Sequence, residues 1–396
     1  MERHGSGRGR LRRWRTLAVL MSAMLMPAML AASCSSSSKP QQSVLPPPGD
    51  GPCPKNLVIQ TDWLPEMEHG GVYQLIGAGG AADKQKVTYT GQLKAQYRGS
   101  NGIDTVEIRA GGAAIDNRTV ADVMMTDDTI YLGFINADDV IAGRGRGHNF
   151  TGVSSTLDLS PQMLMWSPAR YRVAQFDDLA KTRAKVLYFP GSTYIDFLLS
   201  RAYVTEDQLD ASYDGSPARW LATRGDVIQQ GFATNEVYTY ENDLAGWKKT
   251  VDFFLIHWLG YENYPAMMSV RSDRLSQSSA CLKLLVPVLQ RAWVDFFADI
   301  REVSNAIVDI NNTYNTFFKV SKGLNEDAVH KMRQYLIASN GSDRTYGNFD
   351  EDRVNRFISI VQDIYRKRGR PLPSGISPTD IATNQFIDSS ISLPNG

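Results

Sequence analysis

The chain has 396 residues, enough for two domains or one large two-lobed body, and its 42 basic and 42 acidic residues cancel. The balance is uneven: the first 33 residues hold six Arg against one Glu, which leaves the remainder mildly acidic. An acidic body argues against nucleic acid as a partner, and a content of 42% apolar and 10% aromatic residues excludes a disordered chain.

Residues 1–33 read as a signal peptide. A basic run ends at Arg15, and the apolar stretch from Leu17 to Leu30 is too short to span a bilayer. Ala31-Ala32-Ser33 then leads directly to Cys34. This resembles a bacterial lipobox, in which the Cys34 thiol is acylated and becomes the mature N-terminus, although Ala31 stands where Leu is more usual. Arg12-Arg13 leaves a twin-arginine export route open. Residues 34–55, rich in Ser, Gln and Pro, cannot bury a core and are expected to form a flexible, lipidated tether. With Cys34 acylated, Cys53 and Cys281 remain, and an exported protein can pair them. The alternative is a free Cys53 in the tether and a buried Cys281 on an apolar helix. The five His are scattered and there is no Cys-x-x-Cys, so no metal site is expected.

The folded part opens with Leu57-Val58-Ile59-Gln60, an apolar run that reads as a buried strand. Thr61-Asp62-Trp63-Leu64-Pro65-Glu66-Met67-Glu68-His69-Gly70-Gly71-Val72-Tyr73 follows. Pro65 suits the first turn of a helix, with Glu66 and Glu68 at the positive end of its dipole. This strand, turn and helix gather Asp62, Trp63, Glu66 and His69 at the carboxyl end of the strand, where open α/β sheets bind ligands. An ordinary first βα unit with its aromatics in the core is the alternative.

Lys86 to Tyr97 and Thr105 to Ala110 alternate as strands about a turn at 98–102, and Val120 to Met125 is a short helix. Thr129 to Phe134 is almost wholly apolar, as in a doubly covered sheet, and delivers Asn136 to a strand's carboxyl end. Phe150 to Leu159 carries a first crossing between lobes. Val186 to Phe189 is a strand, 190–193 a turn, and Tyr194 to Ser200 a helix. The small, hydroxyl-rich turn offers free N–H groups and the Ser192 and Thr193 hydroxyls to a polar group, with Tyr188, Phe189 and Tyr194 around it. Plain helix capping by one hydroxyl is the alternative. Ile228 to Tyr240 holds a strand and a loop with Phe232, Asn235 and Glu236. Val251 to Trp258 and Ala266 to Arg271 read as strands closing the second lobe, with the return crossing near Met267–Arg274. From Ala280 the spacing is helical, and its apolar stripe is core. The tail from Pro371 to Gly396 is expected to wrap the surface.

The stretch Asp62-Trp63, Pro65, His69-Gly70-Gly71-Val72-Tyr73 resembles the opening of the substrate-binding family for nitrate, taurine, sulfonates and thiamine-pyrimidine precursors. Val186 to Ser192, Tyr213 to Ala218, Gln229 to Glu236, Ser279 to Lys283 and Phe349 to Val354 look like successive blocks of that family. The likeness is strongest to actinobacterial lipoproteins serving ABC importers. It implies a bilobal α/β fold, the type II periplasmic-binding-protein fold, with lobe one in 56–155 and 271–370, lobe two in 156–270, and a tail in 371–396. It also implies a non-enzymatic, monomeric solute-binding component without a cofactor, anchored outside the cell membrane beside its permease. The Gln74 to Ala82 segment departs from the Lys-Glu-x-Gly-Tyr-Phe of the family. A eukaryotic enzyme branch makes the thiamine pyrimidine with a His in this first helix, where His69 stands, but its Cys/His-rich motif is missing here. A sensory or scaffolding lipoprotein with an empty cleft is a further alternative.

The expected cleft residues are Asp62, Trp63, Glu66, His69, Tyr73, Asn136, Tyr188, Gly191, Ser192, Thr193, Tyr194, Phe232, Asn235 and Glu236. They are aromatic, amide and acidic, with no Arg or Lys to hold an oxyanion. The expected ligand is therefore a nitrogen heterocycle, such as a thiamine-pyrimidine precursor or related vitamin, ahead of a sulfonate or nitrate.

Overall fold

A computed structural model of the chain describes residues 47–394. The expected signal peptide and Cys34 lie outside them. Strands β1 (Asn56–Gln60), β2 (Ala81–Asp83), β3 (Thr88–Gln92), β4 (Thr105–Arg109), β5 (Leu132–Ile135) and β6 (Phe150–Ser154) begin the first sheet. Strands β7 (Gln162–Trp166), β8 (Val186–Leu187), β9 (Leu209–Asp210), β10 (Ile228–Phe232) and β11 (Asp252–Leu255) form the second. Strand β12 (Met267–Arg271) returns to the first.

The sheet orders are β2-β3-β4-β1-β5-β12-β6 and β11-β7-β10-β8-β9. They share one pattern. The strand that opens each lobe, β1 or β8, lies between the lobe's next parallel strand, β4 or β9, and the one after, β5 or β10. Beyond β5 or β10 comes one antiparallel strand that has crossed from the other lobe, then the lobe's last strand. Each lobe is completed by a strand borrowed across the hinge, so the two crossings are 155–161 and 256–266.

This corrects the expected return point. Met267–Arg271 is not a strand of the second lobe but pairs with β5 and β6 of the first, where Met267, Met268, Ser269 and Val270 are all buried. The run is apolar enough to fill either sheet, and its pairing is decided by the crossing that precedes it.

Helices Leu275–Ala298, Arg301–Tyr314 and Lys322–Gln334 complete lobe one. Glu351–Lys367 lies along the back of both lobes: its Phe357 and Val361 share a core with Val58 and Val140 of lobe one and with Val186 and Phe197 of lobe two. The expected tether is folded from Pro47 onward. Cys53 donates its N–H to Asn101 and is disulfide-bonded to Cys281 on the long helix. The tail does not wrap the surface as expected. Ile381, Phe386 and Leu393 are buried, and Thr383 hydrogen-bonds the β6 residue Gly152.

The first βα unit also differs in detail. Pro65 precedes a 3-10 turn, Met67–His69, and the helix proper is only Gly70–Gln74. It packs closely on Leu275–Ala298. A Cβ on Gly70 would stand 2.2 Å from the Phe296 ring, and one on Gly71 2.3 Å from the Trp293 ring.

Candidate functional site

A cavity of about 940 Å³ opens between the two sheets. Lobe one contributes Asp62, Trp63 and Glu66 from the loop after β1, Asn136 and Asp139 after β5, and Phe317 and Phe318 from the 315–321 loop. Lobe two contributes Phe189 and Ser192 after β8, Tyr213 and Gly215 after β9, and Phe232, Asn235 and Glu236 after β10. Most of these follow the carboxyl ends of parallel strands, so the cleft lies where such sheets leave room for ligands.

Trp63 is the aromatic centre. Its ring meets Phe189 edge-on at 5.7 Å across the cleft and Phe317 and Phe318 at 6.4 and 6.3 Å on its own side. A Cβ on Gly215 of lobe two would approach the same ring to 2.9 Å. Two polar contacts also join the lobes. Ser321 donates to Asp243 at 2.6 Å, and Thr234 donates to Glu68 in a short buried bond.

The carboxyls dominate the electrostatics. Glu66 is 6% exposed and lines the cavity, yet its side-chain oxygens accept no hydrogen bond among the described residues; His69 Nε2 stands 4.0 Å away. Burial pushes its carboxyl well above the usual carboxylate range, and repulsion from Glu68, Asp62 and Glu236 adds to this. Burial raises Glu68 too, against the Thr234 bond. Glu236 is pushed up to about 7 by burial, although the Phe232 N–H and the Tyr213 hydroxyl donate to it at 2.7 and 3.1 Å. Asp139 is pushed up to about 8 by burial and by Asp138.

Two cations line the cavity that sequence reasoning did not place there, Arg118 and Lys319. Both are exposed and already engaged: Arg118 donates to Asp122 O and Thr126 Oγ1, and Lys319 to Asn315 Oδ1.

Of the expected residues, Asp62, Trp63, Glu66, Asn136, Ser192, Phe232, Asn235 and Glu236 line this cavity. His69, Tyr73, Tyr188, Gly191, Thr193 and Tyr194 do not. His69 is buried and is not part of the cavity lining; its Nε2 stands 2.8 Å from Asp62 Oδ1, a contact that orients a cavity carboxylate. Tyr73 packs in the lobe-one core against Tyr89. Gly191 is exposed in the turn, and Thr193 is buried at the start of its helix. Tyr188 only packs against the shared core, and its backbone pairs with Asp210 and Tyr213. Tyr194 acts through a residue that the sequence did not single out. Its hydroxyl donates to Gln230 Oε1 at 2.8 Å, and the Phe189 N–H donates to the same oxygen at 2.7 Å. With its carbonyl committed, Gln230 has its NH2 left to donate at the cavity wall. Tyr213, Gly215, Phe317 and Phe318 were also missed. They lie in connections between elements, and the one readable signal was the Tyr213 to Ala218 stretch that holds Tyr213 and Gly215.

Among the described residues no group of three or more His, Cys, Asp or Glu is arranged to hold a metal ion.

No family model and no curated protein matches this chain. Solved structures do match it. The periplasmic aliphatic sulphonate-binding protein SsuA from Escherichia coli aligns with a TM-score of 0.51 at 12% identity, over 87% of this chain and 94% of that one. A ligand-binding component of an ABC-type import system from Staphylococcus aureus, solved with zinc bound, gives 0.52 at 10% identity, over 85% and 100%. The periplasmic nitrate-binding protein NrtA from Synechocystis PCC 6803 gives 0.50 at 13%, over 84% and 87%. The likeness is one of fold: the chain has the periplasmic-binding-protein fold, as its two matched sheet patterns require.

Proposed function

We propose that this protein is the solute-binding component of an ABC importer and captures a small nitrogen heterocycle between its lobes. The carrying observation is the cavity itself. Its size suits a vitamin-sized ring, its aromatic walls come from both lobes, and a carboxyl and an amide stand open among its described polar groups. The structural neighbours include import-system components, which supports the transport role. A thiamine-pyrimidine precursor or a related vitamin fits the wall chemistry best. Two neighbours are named as sulphonate and nitrate binders. Against an anion here stand the buried acids and the prior engagement of Arg118 and Lys319. The enzyme alternative draws no support from His69, which contacts Asp62 and is not part of the cavity lining.

A melting-temperature screen of pyrimidines, flavins, sulfonates and nitrate tests the reading. A true ligand at about 100 times its Kd adds about 2.7 kcal/mol to stability. Stabilisation by taurine or nitrate with every heterocycle inert would replace the ring reading with the anion one.

A further inference from the structure

The cavity contains a carboxyl whose nearest cationic group, His69 Nε2 at 4.0 Å, is shared with Asp62. Glu66 is only 6% exposed, faces the cavity, and accepts no side-chain hydrogen bond among the described residues. A sheltered carboxylate whose nearest cationic group is already bonded to another acid is costly to keep ionised. Each acid that raises it has a donor: Asp62 has His69, Glu68 has Thr234, and Glu236 has Phe232 and Tyr213. Glu66 alone of these four accepts no side-chain hydrogen bond among the described residues, and it lines the space a ligand would fill. The two cations of the wall do not serve it, since Arg118 and Lys319 lie exposed and bonded elsewhere. Trp63, Phe189 and Phe232 line the same cavity, and a flat cation is attracted to such ring faces.

We propose that the solute is a cation, an ammonium or amidinium nitrogen carried on a flat ring, whose N–H groups donate to the Glu66 carboxylate beside Asp62 and Glu236. This rests on the solute-capture reading above and names the charge of what is captured. The NH2 of Gln230 adds the complementary demand for an acceptor on the same ring. The crowding of like charge fits the same picture. Asp62, Glu68 and Glu236 all raise the Glu66 carboxyl after burial, and a positive charge seated against Glu66 offsets that repulsion.

The test uses three near-isosteric probes on the intact chain: benzamidinium, benzamide and benzenesulfonate, by calorimetry and melting temperature. Benzamidinium is expected to bind and benzamide to bind at least about tenfold more weakly, with Glu66→Gln removing about tenfold or more of benzamidinium affinity. Glu66→Asp, which keeps the charge, is expected to recover part of it. Equal affinity for benzamide and benzamidinium overturns the proposal, and this wild-type comparison decides it even should Glu66→Gln fail to fold. Binding of benzenesulfonate with benzamidinium inert also overturns it, while leaving solute capture intact. Failure of all three to bind overturns it as well, and solute capture then stands or falls on the melting screen alone.

Discussion

Three carboxyls in the cleft hold their protons more tightly in the folded chain than in the unfolded one. Glu236 rises from 4.5 to about 7, Asp139 from 3.8 to about 8, and Glu66 rises well above 4.5. Glu236 faces Tyr213, the Phe232 N–H and Glu68, while Asp139 faces Asp138, Asn136, Arg146 and Asp122. Because the native state binds the extra protons, their contribution is fully present below the unfolded values and is lost as pH rises through the folded ones. The empty protein is therefore expected to melt higher at about pH 5 than at about pH 8, with Glu236 alone contributing on the order of 2 kcal/mol. Melting curves across that interval check it, and a flat profile would show that these acids are ionised throughout. A saturating cationic probe should flatten the slope, since it supplies the charge that the protons otherwise provide.

At the scale of elements, the closest packing lies beneath the site. Gly70 and Gly71 leave room for Phe296 and Trp293, both buried, so neither ring has space to retreat. Gly71→Ala is expected to destabilise by about 3 kcal/mol, read from the midpoint of denaturant unfolding. The disulfide ties the same helix to Cys53 across a separation of 228 residues. Replacing both cysteines by serine is expected to cost about 2–5 kcal/mol, again by denaturation. Much of this was readable beforehand. The stripe through Cys281, Leu285, Val288 and Ala292 marked a helix, and His69-Gly70-Gly71 marked the turn that carries Asp62. The role of His69 was not readable, because a ring that meets ligand and a ring that orients a carboxylate have the same sequence signature. Nor was the sheet of Met267–Arg271, whose residues suit either side of the hinge. The 315–321 loop escaped because the helical run from Ala280 was read without a break there, whereas Asn315 ends its helix in the left-handed region, at φ 52°.

At the scale of the molecule, the crossings are held by one guanidinium. Arg353 donates to Asp158 of the first crossing at 2.8 Å and to Glu262 and Asn263 of the second, and it stacks 3.7 Å over Tyr264. We propose that the lobes rotate about these crossings on binding. Gly215 has φ +87° and meets Trp63 from the facing lobe, so Gly215→Ala is expected to prop the cleft open. Solution scattering should then show a larger radius of gyration and calorimetry a weaker ligand; unchanged dimensions would make the cleft rigid. The proposed anchor at Cys34 has its own check. Cys34→Ala should leave the precursor unprocessed or release the protein from membranes, and normal retention would remove the anchor from the account.

Both ends of the described chain converge on one helix. Cys53 is bonded to Cys281, and further along the same helix Gln290 grips the tail by donating to Asp388 O and accepting the Asp388 N–H. Mechanical tension applied between the two ends would run from Cys53 through Leu275–Ala298 to Asp388, bypassing both crossings and the whole of lobe two. A molecule stretched from its ends would bear the force in its lobe-one frame, and its cleft would open and shut under no load.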